Sequence, residues 1–142
     1  MVRVTAFGQG HSDLRDHYIE RLQKMIPFHW VNIPLRHNPD KRPSELLSEE
    51  KEFLKNYKAT EFYLMDVDGR SFSDNKLSQW AFQQDRHLII GPPVGFHHEF
   101  QELAKGKISL SSLTFTHILA QAILAESLYR AACSQFNHPF VK

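Results

Sequence analysis

The sequence is poor in cysteine and lacks several patterns that mark a metal or membrane protein. Cys133 is the single cysteine, so no internal disulfide can form. There is no Cys-x-x-Cys pair and no pair of histidines one helical turn apart, which argues against a zinc site. The most apolar stretch, Ile118 to Ala125, contains Gln121 and is far shorter than the roughly 20 residues that cross a bilayer. The first residues resemble a strand and not a leader, so we expect a cytoplasmic, reduced, soluble protein without a metal.

An excess of one charge is also missing. The sequence has 17 basic and 16 acidic residues, which gives a formal net charge of +1. A protein that holds RNA through charge alone would usually be more basic, so this balance permits nucleic-acid binding without demanding it. The 142 residues are 42% hydrophobic, enough to bury a real core, and their number fits one ordinary domain. We therefore expect a single domain over residues 1–142.

Strand and helix patterns alternate from one end of the chain to the other. Predicted strands cover Val2 to Ala6, Phe28 to Ile33, Phe62 to Val67, Leu88 to Ile90, and Ile108 to Leu110. Five helices are predicted. The first follows Ser12 or Asp13 and has the apolar stripe Leu14, Tyr18, Leu22 and Met25. The others begin at Pro43, follow Ser73 or Asp74, surround Phe100, and run from about His117 towards Gln135. A turn at Asp68-Gly69 is expected to end the third strand.

This alternation, with short connections, predicts an α/β fold: a mostly parallel sheet with helices on both faces. Ligands of such sheets bind outside the carboxyl ends of the strands. Three segments occupy those positions: Asp66 to Arg70, Gly91 to Gly95, and Leu110 to Thr116. Two contain glycine and the third is rich in serine and threonine. The sequence therefore predicts a site for a small polar ligand held largely by backbone groups.

Taken singly, each of these features has two interpretations. The glycines of Gly91 to Gly95 permit either close approach of a ligand or a tight turn, and the spacing is not a dinucleotide fingerprint. The hydroxyls between Ser109 and Thr116 can bind a ligand; alternatively, Thr116 caps the last helix and the others satisfy the backbone of the loop. Glu126 and Arg130 lie four residues apart, which is typical of a surface ion pair. The basic segment Arg36 to Arg42 is either an RNA phosphate contact or a solvated loop.

The alanine-rich stripe of the last helix is also open to two interpretations. Its apolar residues recur at helical spacing, which indicates core packing. Small side chains also suit two helices that meet closely across a dimer interface. The members of the stripe are Ile118, Ala122, Ala125, Tyr129 and Ala132.

The C-terminal third resembles a known family. The runs Leu110 to His117, Ala125 to Ala131, and Asn137 to Pro139 are similar to the RlmH (YbeA-like) family of small SPOUT, or alpha/beta-knot, methyltransferases. Members methylate N3 of a pseudouridine in 23S ribosomal RNA within the assembled ribosome. The pairing of Leu-Thr-Phe-x-His with Glu-x-x-Tyr-Arg-Ala is the specific part of the match. Weaker matches at Asp66 to Arg70 and Ile90-Gly91 extend it towards the N-terminus.

The resemblance implies a C-terminal trefoil knot, a homodimer, and S-adenosyl-L-methionine (SAM) bound against the three segments. Matched by position, the cofactor-binding residues are Met65, Gly91, Leu110, Ser111, Ser112, Leu113, Thr114 and Phe115. The catalytic residues implied are Glu126, Arg130 and His138. His138 or Glu126 is a candidate base for the target nitrogen, and Arg130 is expected to stabilise the developing anion or to bind phosphate.

The sequence departs from the family pattern at three places. Pro92 stands where a second glycine is usual, Gln121 where an arginine is common, and Phe140 to Lys142 where the family ends in Tyr-His. Three alternatives therefore stay open beside the RlmH reaction. They are a knot protein with weak or no methyltransferase activity, a knot methyltransferase with another RNA target, and a plain nucleotide-binding α/β module.

Overall fold

The computed structural model describes residues 1–8, 10–34, 48, 50–53, 55, 61–92 and 95–139. Within this part, the strands are β1 (Val2–Phe7), β2 (Phe28–Ile33), β3 (Tyr63–Ser71), β4 (Arg86–Ile90) and β5 (Gly106–Ser109). The helices with described bounds are α1 (Asp13–Met25), α2 (Asp74–Gln83), α3 (His98–Leu103) and α4 (His117–Gln135). The predicted helix start at Pro43 and the basic segment Arg36 to Arg42 lie outside the described residues.

The five strands form one sheet in the order β2-β1-β4-β3-β5, and every pairing is parallel. Strand β1 is paired along its length with β2 on one side and β4 on the other. This arrangement confirms the predicted parallel α/β sheet. All five strands therefore direct their carboxyl ends to the same edge, where the three predicted ligand segments lie.

Alternate residues of the strands supply two separate cores. Val4, Leu88 and Ile90 point to one face and pack with apolar residues of α1, α2 and α4. Ile89, between them, points to the opposite face and packs with a second cluster that includes Phe100 of α3. Strand β4 is buried at every position, as expected for a strand covered on both faces. The predicted helices on both faces are confirmed.

Local capping chemistry determines where three of the helices begin. The hydroxyl of Ser12 accepts from a backbone N–H in the first turn of α1, and Ser73 does the same for α2. The Thr116 hydroxyl accepts from the N–H of Leu119 at 3.4 Å and begins α4. These are three of the predicted caps, and each satisfies a backbone donor that the helix itself leaves unpaired.

The predicted turn at Asp68-Gly69 is wrong, because β3 continues to Ser71. The strand contains a bulge at this point: Met65 and Arg70 both pair with Ile108 of β5, so the residues between them leave the ladder and the strand resumes. Gly69 permits the close approach of β3 and β5 and does not reverse the direction of the chain. A Cβ built on Gly69 would lie 2.6 Å from the backbone nitrogen of Ile108.

Two smaller expectations also fail. Leu14, predicted as part of the apolar stripe of α1, is 55% exposed, whereas Leu22 of the same stripe is fully buried. Leu14 is only the second residue of α1. Strand β5 ends at Ser109, so Leu110 belongs to the segment that leads into α4.

Candidate functional site

A cavity of about 260 Å³ opens at the carboxyl edge of the sheet. It is close to the lower end of the roughly 300–1,000 Å³ range of small-molecule sites. Its walls come from the ends of β3 and β4, the segment after β4, and the segment between β5 and α4. The lining residues are Leu64, Met65, Asp66, Val67, Ile90, Gly91, Pro92, Gly95, Phe96, Gln101, Leu110, Ser111, Leu113, Thr114, Phe115, His117 and Ala120. Each of the three segments predicted to bind a ligand contributes to this cavity.

The structure brings together seven of the eight cofactor-binding residues implied by the resemblance. They are Met65, Gly91, Leu110, Ser111, Leu113, Thr114 and Phe115. Ser112 is exposed and is not among the residues that line the cavity. The proximity of these residues is a fact of the fold, and their contact with a cofactor stays a prediction.

The hydroxyls of the segment after β5 shape the backbone of that segment. Ser109 donates to the carbonyl oxygen of Ser111 at 2.7 Å, and the Leu113 N–H donates to Ser111 Oγ at 3.0 Å. For these two serines the structural interpretation is therefore correct. Ser111 also lines the cavity, so its hydroxyl combines both roles.

The segment after β4 turns tightly and also forms a wall of the cavity. The N–H of Gly95 donates to the carbonyl oxygen of Pro92 at 2.8 Å, and Gly95 has a φ of +81°, which favours glycine. A Cβ on Gly91 would lie 2.7 Å from the ring of Phe96. The turn interpretation of these glycines is therefore confirmed, and the turn also lines the cavity. Close approach of a ligand to Gly91 stays a prediction.

Asp66 is a charged cavity residue that the residue-by-residue prediction did not name. Its carboxylate lies 3.6 Å from Lys107 Nζ and accepts from the N–H of Asp68 at 2.9 Å. The bulge in β3 turns this part of the strand towards the cavity. The segment Asp66 to Arg70 was predicted to border a ligand site, and its Asp66 and Val67 line the cavity. The role of a bulge was not visible in the sequence.

His117, the first residue of α4, was part of the recognised motif but received no role from it. The residue lines the cavity, and its Nε2 lies 2.7 Å from Nε2 of Gln121. Burial lowers the pKa of His117 below its usual value, and the charge of Arg15 lowers it further. The main chain of Gly91 acts in the opposite direction and raises this pKa. The ring is therefore neutral near neutral pH.

Gln121 is the centre of a buried polar network next to this histidine. The residue is fully buried, and its Oε1 accepts from Arg15 Nη1 at 2.7 Å and from Asn32 Nδ2 at 3.1 Å. Arg15 is itself 6% exposed and also donates to the carbonyl oxygen of Gly10. Sequence reasoning could not find this network, because Arg15 and Gln121 are 106 residues apart in the chain.

Glu126 and Arg130 face each other on α4. Arg130 Nε lies 3.1 Å from Glu126 Oε1, and Arg130 Nη1 lies 3.6 Å from Asp74 Oδ2 of α2. Arg130 also lines a second, smaller recess of about 100 Å³ that shares Met65 and Leu110 with the main cavity. Arg130 therefore lies beside the candidate cofactor site, across the wall formed by Met65 and Leu110, and Glu126 contacts it on the same helix.

His138 lies beyond the end of α4 and is exposed. Its backbone N–H donates to the Cys133 carbonyl oxygen, and its Nδ1 lies 3.1 Å from the carbonyl oxygen of Pro139. Asn137 before it adopts a φ of +53°, which ends the helix. His138 is absent from the lining of both described cavities. Within one chain the structure brings Glu126 and Arg130 together and leaves His138 apart from them.

The alanine-rich stripe of α4 packs within its own chain. Ala122, Ala125 and Ala132 are at most 4% exposed. The core interpretation of this stripe is therefore confirmed, and these side chains are not available to a second copy. Leu119, on the same helix, is 46% exposed.

Two other kinds of site are absent from the described residues. No group of three or more histidine, cysteine, aspartate or glutamate side chains is placed to hold a metal ion. Among the same residues, no helix is both long enough and apolar enough to cross a membrane.

Comparison with known proteins shows the family of the chain. A family model described as a predicted SPOUT methyltransferase matches residues 2–140. The chain belongs to the SPOUT methyltransferase family. Relatives named ribosomal RNA large subunit methyltransferase H include one from Francisella tularensis subsp. novicida, 32% identical over 92% of this chain and 90% of the relative. Another, from Dictyoglomus thermophilum, is 34% identical over 85% of each chain.

A solved structure shares the fold of this chain. A protein from Bacillus anthracis, described as a candidate RNA methyltransferase, matches 100% of this chain and 98% of its own with a TM-score of 0.53. The two sequences are 15% identical, so this likeness concerns the fold alone.

Proposed function

We propose that this SPOUT protein transfers a methyl group from SAM to ribosomal RNA, at N3 of a pseudouridine in 23S RNA on the assembled ribosome. The observation that carries the proposal is the strand-end cavity, whose walls contain Met65, Gly91 and five residues between Leu110 and Phe115. The names of the relatives support ribosomal RNA as the substrate. An enzyme that acts on ribosomes works where they are, which in this proposal is the cytoplasm.

The residues present fit SAM in their chemistry. The apolar side chains of Met65, Leu110 and Phe115 suit the flat faces of an adenine ring. The Asp66 carboxylate can accept from ribose hydroxyls or from an ammonium group, and the Thr114 hydroxyl can donate to a carboxylate. When bound, SAM supplies an electrophilic methyl group on a sulfonium. The cavity residues would hold it in one orientation and exclude water, which is most of what a direct displacement requires.

The proposed catalytic groups act on the RNA. The target nitrogen must lose a proton, and Glu126 or His138 is the proposed base. Arg130 lies between Glu126 and Asp74, and its proposed role is to bind phosphate or to stabilise the anion that forms as the proton leaves. His138 would have to reach the site by a movement of its tail or from a second copy of the chain. We therefore include a homodimer in the proposal.

Two measurements test the proposal in sequence. Calorimetric titration with SAM should show binding, and a saturating ligand at a hundred times its Kd should stabilise the fold by about 2.7 kcal/mol. Ribosomes isolated without this modification should then accept a labelled methyl group, whereas fully modified ribosomes serve as the control. Absence of both heat and thermal shift would exclude a SAM enzyme. Binding without transfer would favour a regulatory protein or another RNA target.

A further inference from the structure

The network around Gln121 determines which nitrogen of His117 carries its hydrogen. Arginine has donors and no acceptor, so the group of Gln121 that faces Arg15 must be its carbonyl oxygen. The Gln121 amide nitrogen, a donor only, therefore faces His117 Nε2 at 2.7 Å. That nitrogen must accept, which leaves the hydrogen of the neutral ring on Nδ1.

The main chain of Gly91 is the candidate partner for that hydrogen. Gly91 and His117 line the same cavity, and the main chain of Gly91 raises the pKa of His117, which is the effect of a carbonyl oxygen that accepts from a ring N–H. The next residue is Pro92, which has no N–H of its own with which to anchor the segment. The Gly91 carbonyl is thus the backbone group through which α4 can hold this wall of the cavity.

The packing around the ring leaves it little freedom to turn. A Cβ built on Gly8, at the end of β1, would overlap the His117 imidazole, so the ring lies directly on that backbone. The charged group that acts on the ring is Arg15 of α1, which in turn pairs with Asp16 at 2.9 Å. The chain of contacts therefore runs from α1 through Gln121 and His117 to the cavity wall.

We propose that His117 is a positioning residue for the cofactor: its Nδ1–H holds the Gly91 carbonyl, and the Arg15–Gln121 pair imposes that tautomer. The inference rests on the proposed SAM site, and it adds that His117 orients the wall of that site at Gly91. His117 does not transfer a proton in this scheme. A change in the tautomer of His117 is enough to remove the donor to the Gly91 carbonyl, even with the ring still in place.

The first test uses the unmodified protein. Long-range ¹H–¹⁵N spectra of histidine-labelled protein near neutral pH should show one ring that is neutral with its hydrogen on Nδ1. Loss of that signal in His117→Gln assigns it, and addition of SAM should shift it. A His117 ring with its hydrogen on Nε2, or a doubly protonated ring, would overturn the inference whatever any variant does.

The second test changes one atom type at Gln121. Gln121→Glu replaces the amide donor by an acceptor, so Nε2 of His117 must donate. At lower pH the doubly protonated ring still bonds Gly91. Once the ring is neutral, its hydrogen lies on Nε2 and the Gly91 carbonyl loses its donor. SAM affinity of this variant should therefore fall about tenfold as pH rises through the pKa of His117, whereas that of the unmodified protein should stay level.

Gln79→Glu provides the matched control, because the same substitution on the exposed side of α2 adds the same charge away from the network. It should follow the unmodified protein at every pH. A level pH profile for Gln121→Glu would overturn the inference while leaving SAM binding intact. If the unmodified protein binds no SAM, the proposed function itself fails, so the two failures are distinguishable.

Discussion

The structure gives Arg130 contacts that its sequence motif does not predict. An arginine and a glutamate four residues apart on a helix form, by default, an exposed ion pair of a few tenths of a kcal/mol. Here the guanidinium also reaches Asp74 on another helix and borders the recess next to the cavity. Its side chain is 35% exposed, so it is oriented from two sides and still open to a ligand.

Replacing this guanidinium tests its proposed role. Arg130→Ala should lower methyl transfer to unmodified ribosomes about 100-fold, because a cation that stabilises developing charge acts mainly in the transition state. SAM affinity should hardly change, since Arg130 does not line the main cavity. Single-turnover transfer and calorimetry measure the two quantities. Lys76→Ala, an exposed cation on α2, is the control, and unchanged transfer in Arg130→Ala would show that the assignment is wrong.

At the scale of the element, the bulge in β3 connects the sheet to the site. Between Met65 and Arg70 the strand leaves its ladder with β5, and Asp66 and Val67 line the cavity. The strand can return to pairing because Gly69 passes close to the backbone of β5. A side chain at that position would push the two strands apart.

Gly69→Ala should therefore destabilise the fold by about 1–3 kcal/mol and weaken SAM binding, because the added methyl group meets backbone atoms that cannot move aside. Denaturant unfolding and calorimetry measure the two effects. Gly106→Ala on the neighbouring strand is a close control, since its Cβ would lie 3.4 Å from the Tyr63 ring, an ordinary contact. Equal stability of the two variants would contradict the close approach of β3 and β5.

At the scale of the whole molecule, the centre of the sheet contains a group that is sensitive to acid. His87 on β4 is 7% exposed, and its Nε2 lies 2.9 Å from the Thr5 hydroxyl of β1. Burial lowers the pKa of His87 to about 4, and the charge of Arg3 adds to the shift. The unfolded chain therefore binds a proton at higher pH than the folded chain does.

The free energy of unfolding should consequently depend on pH. The contribution of His87 is fully present above about pH 6.5 and is lost as pH falls towards 4, up to about 3 kcal/mol. Urea unfolding across this range measures it. His87→Gln should flatten the profile, and His98→Gln, which alters an exposed side chain, should not. Parallel profiles for the parent and His87→Gln would contradict the buried neutral ring.

Much of this architecture could be predicted from local patterns. The bounds of β2 and α4, the caps at Ser12, Ser73 and Thr116, and the parallel sheet follow from alternation, helical spacing and capping hydroxyls. The rule for strand ends then selects the three segments of the cavity before any family is named. These properties depend on near neighbours in the chain, so the sequence displays them directly. The knot and the homodimer came from resemblance and stay predictions.

The sequence by itself determined the fold class, the strand-end site and, through its C-terminal motifs, the family. Only the tertiary structure decided that β3 continues past Asp68-Gly69, that Asp66 enters the cavity, and that Arg15 reaches Gln121. The physical reason is that a bulge depends on the partner strand, and a buried network depends on donors and acceptors from distant parts of the chain. Pairing of that kind leaves no periodic trace in the sequence.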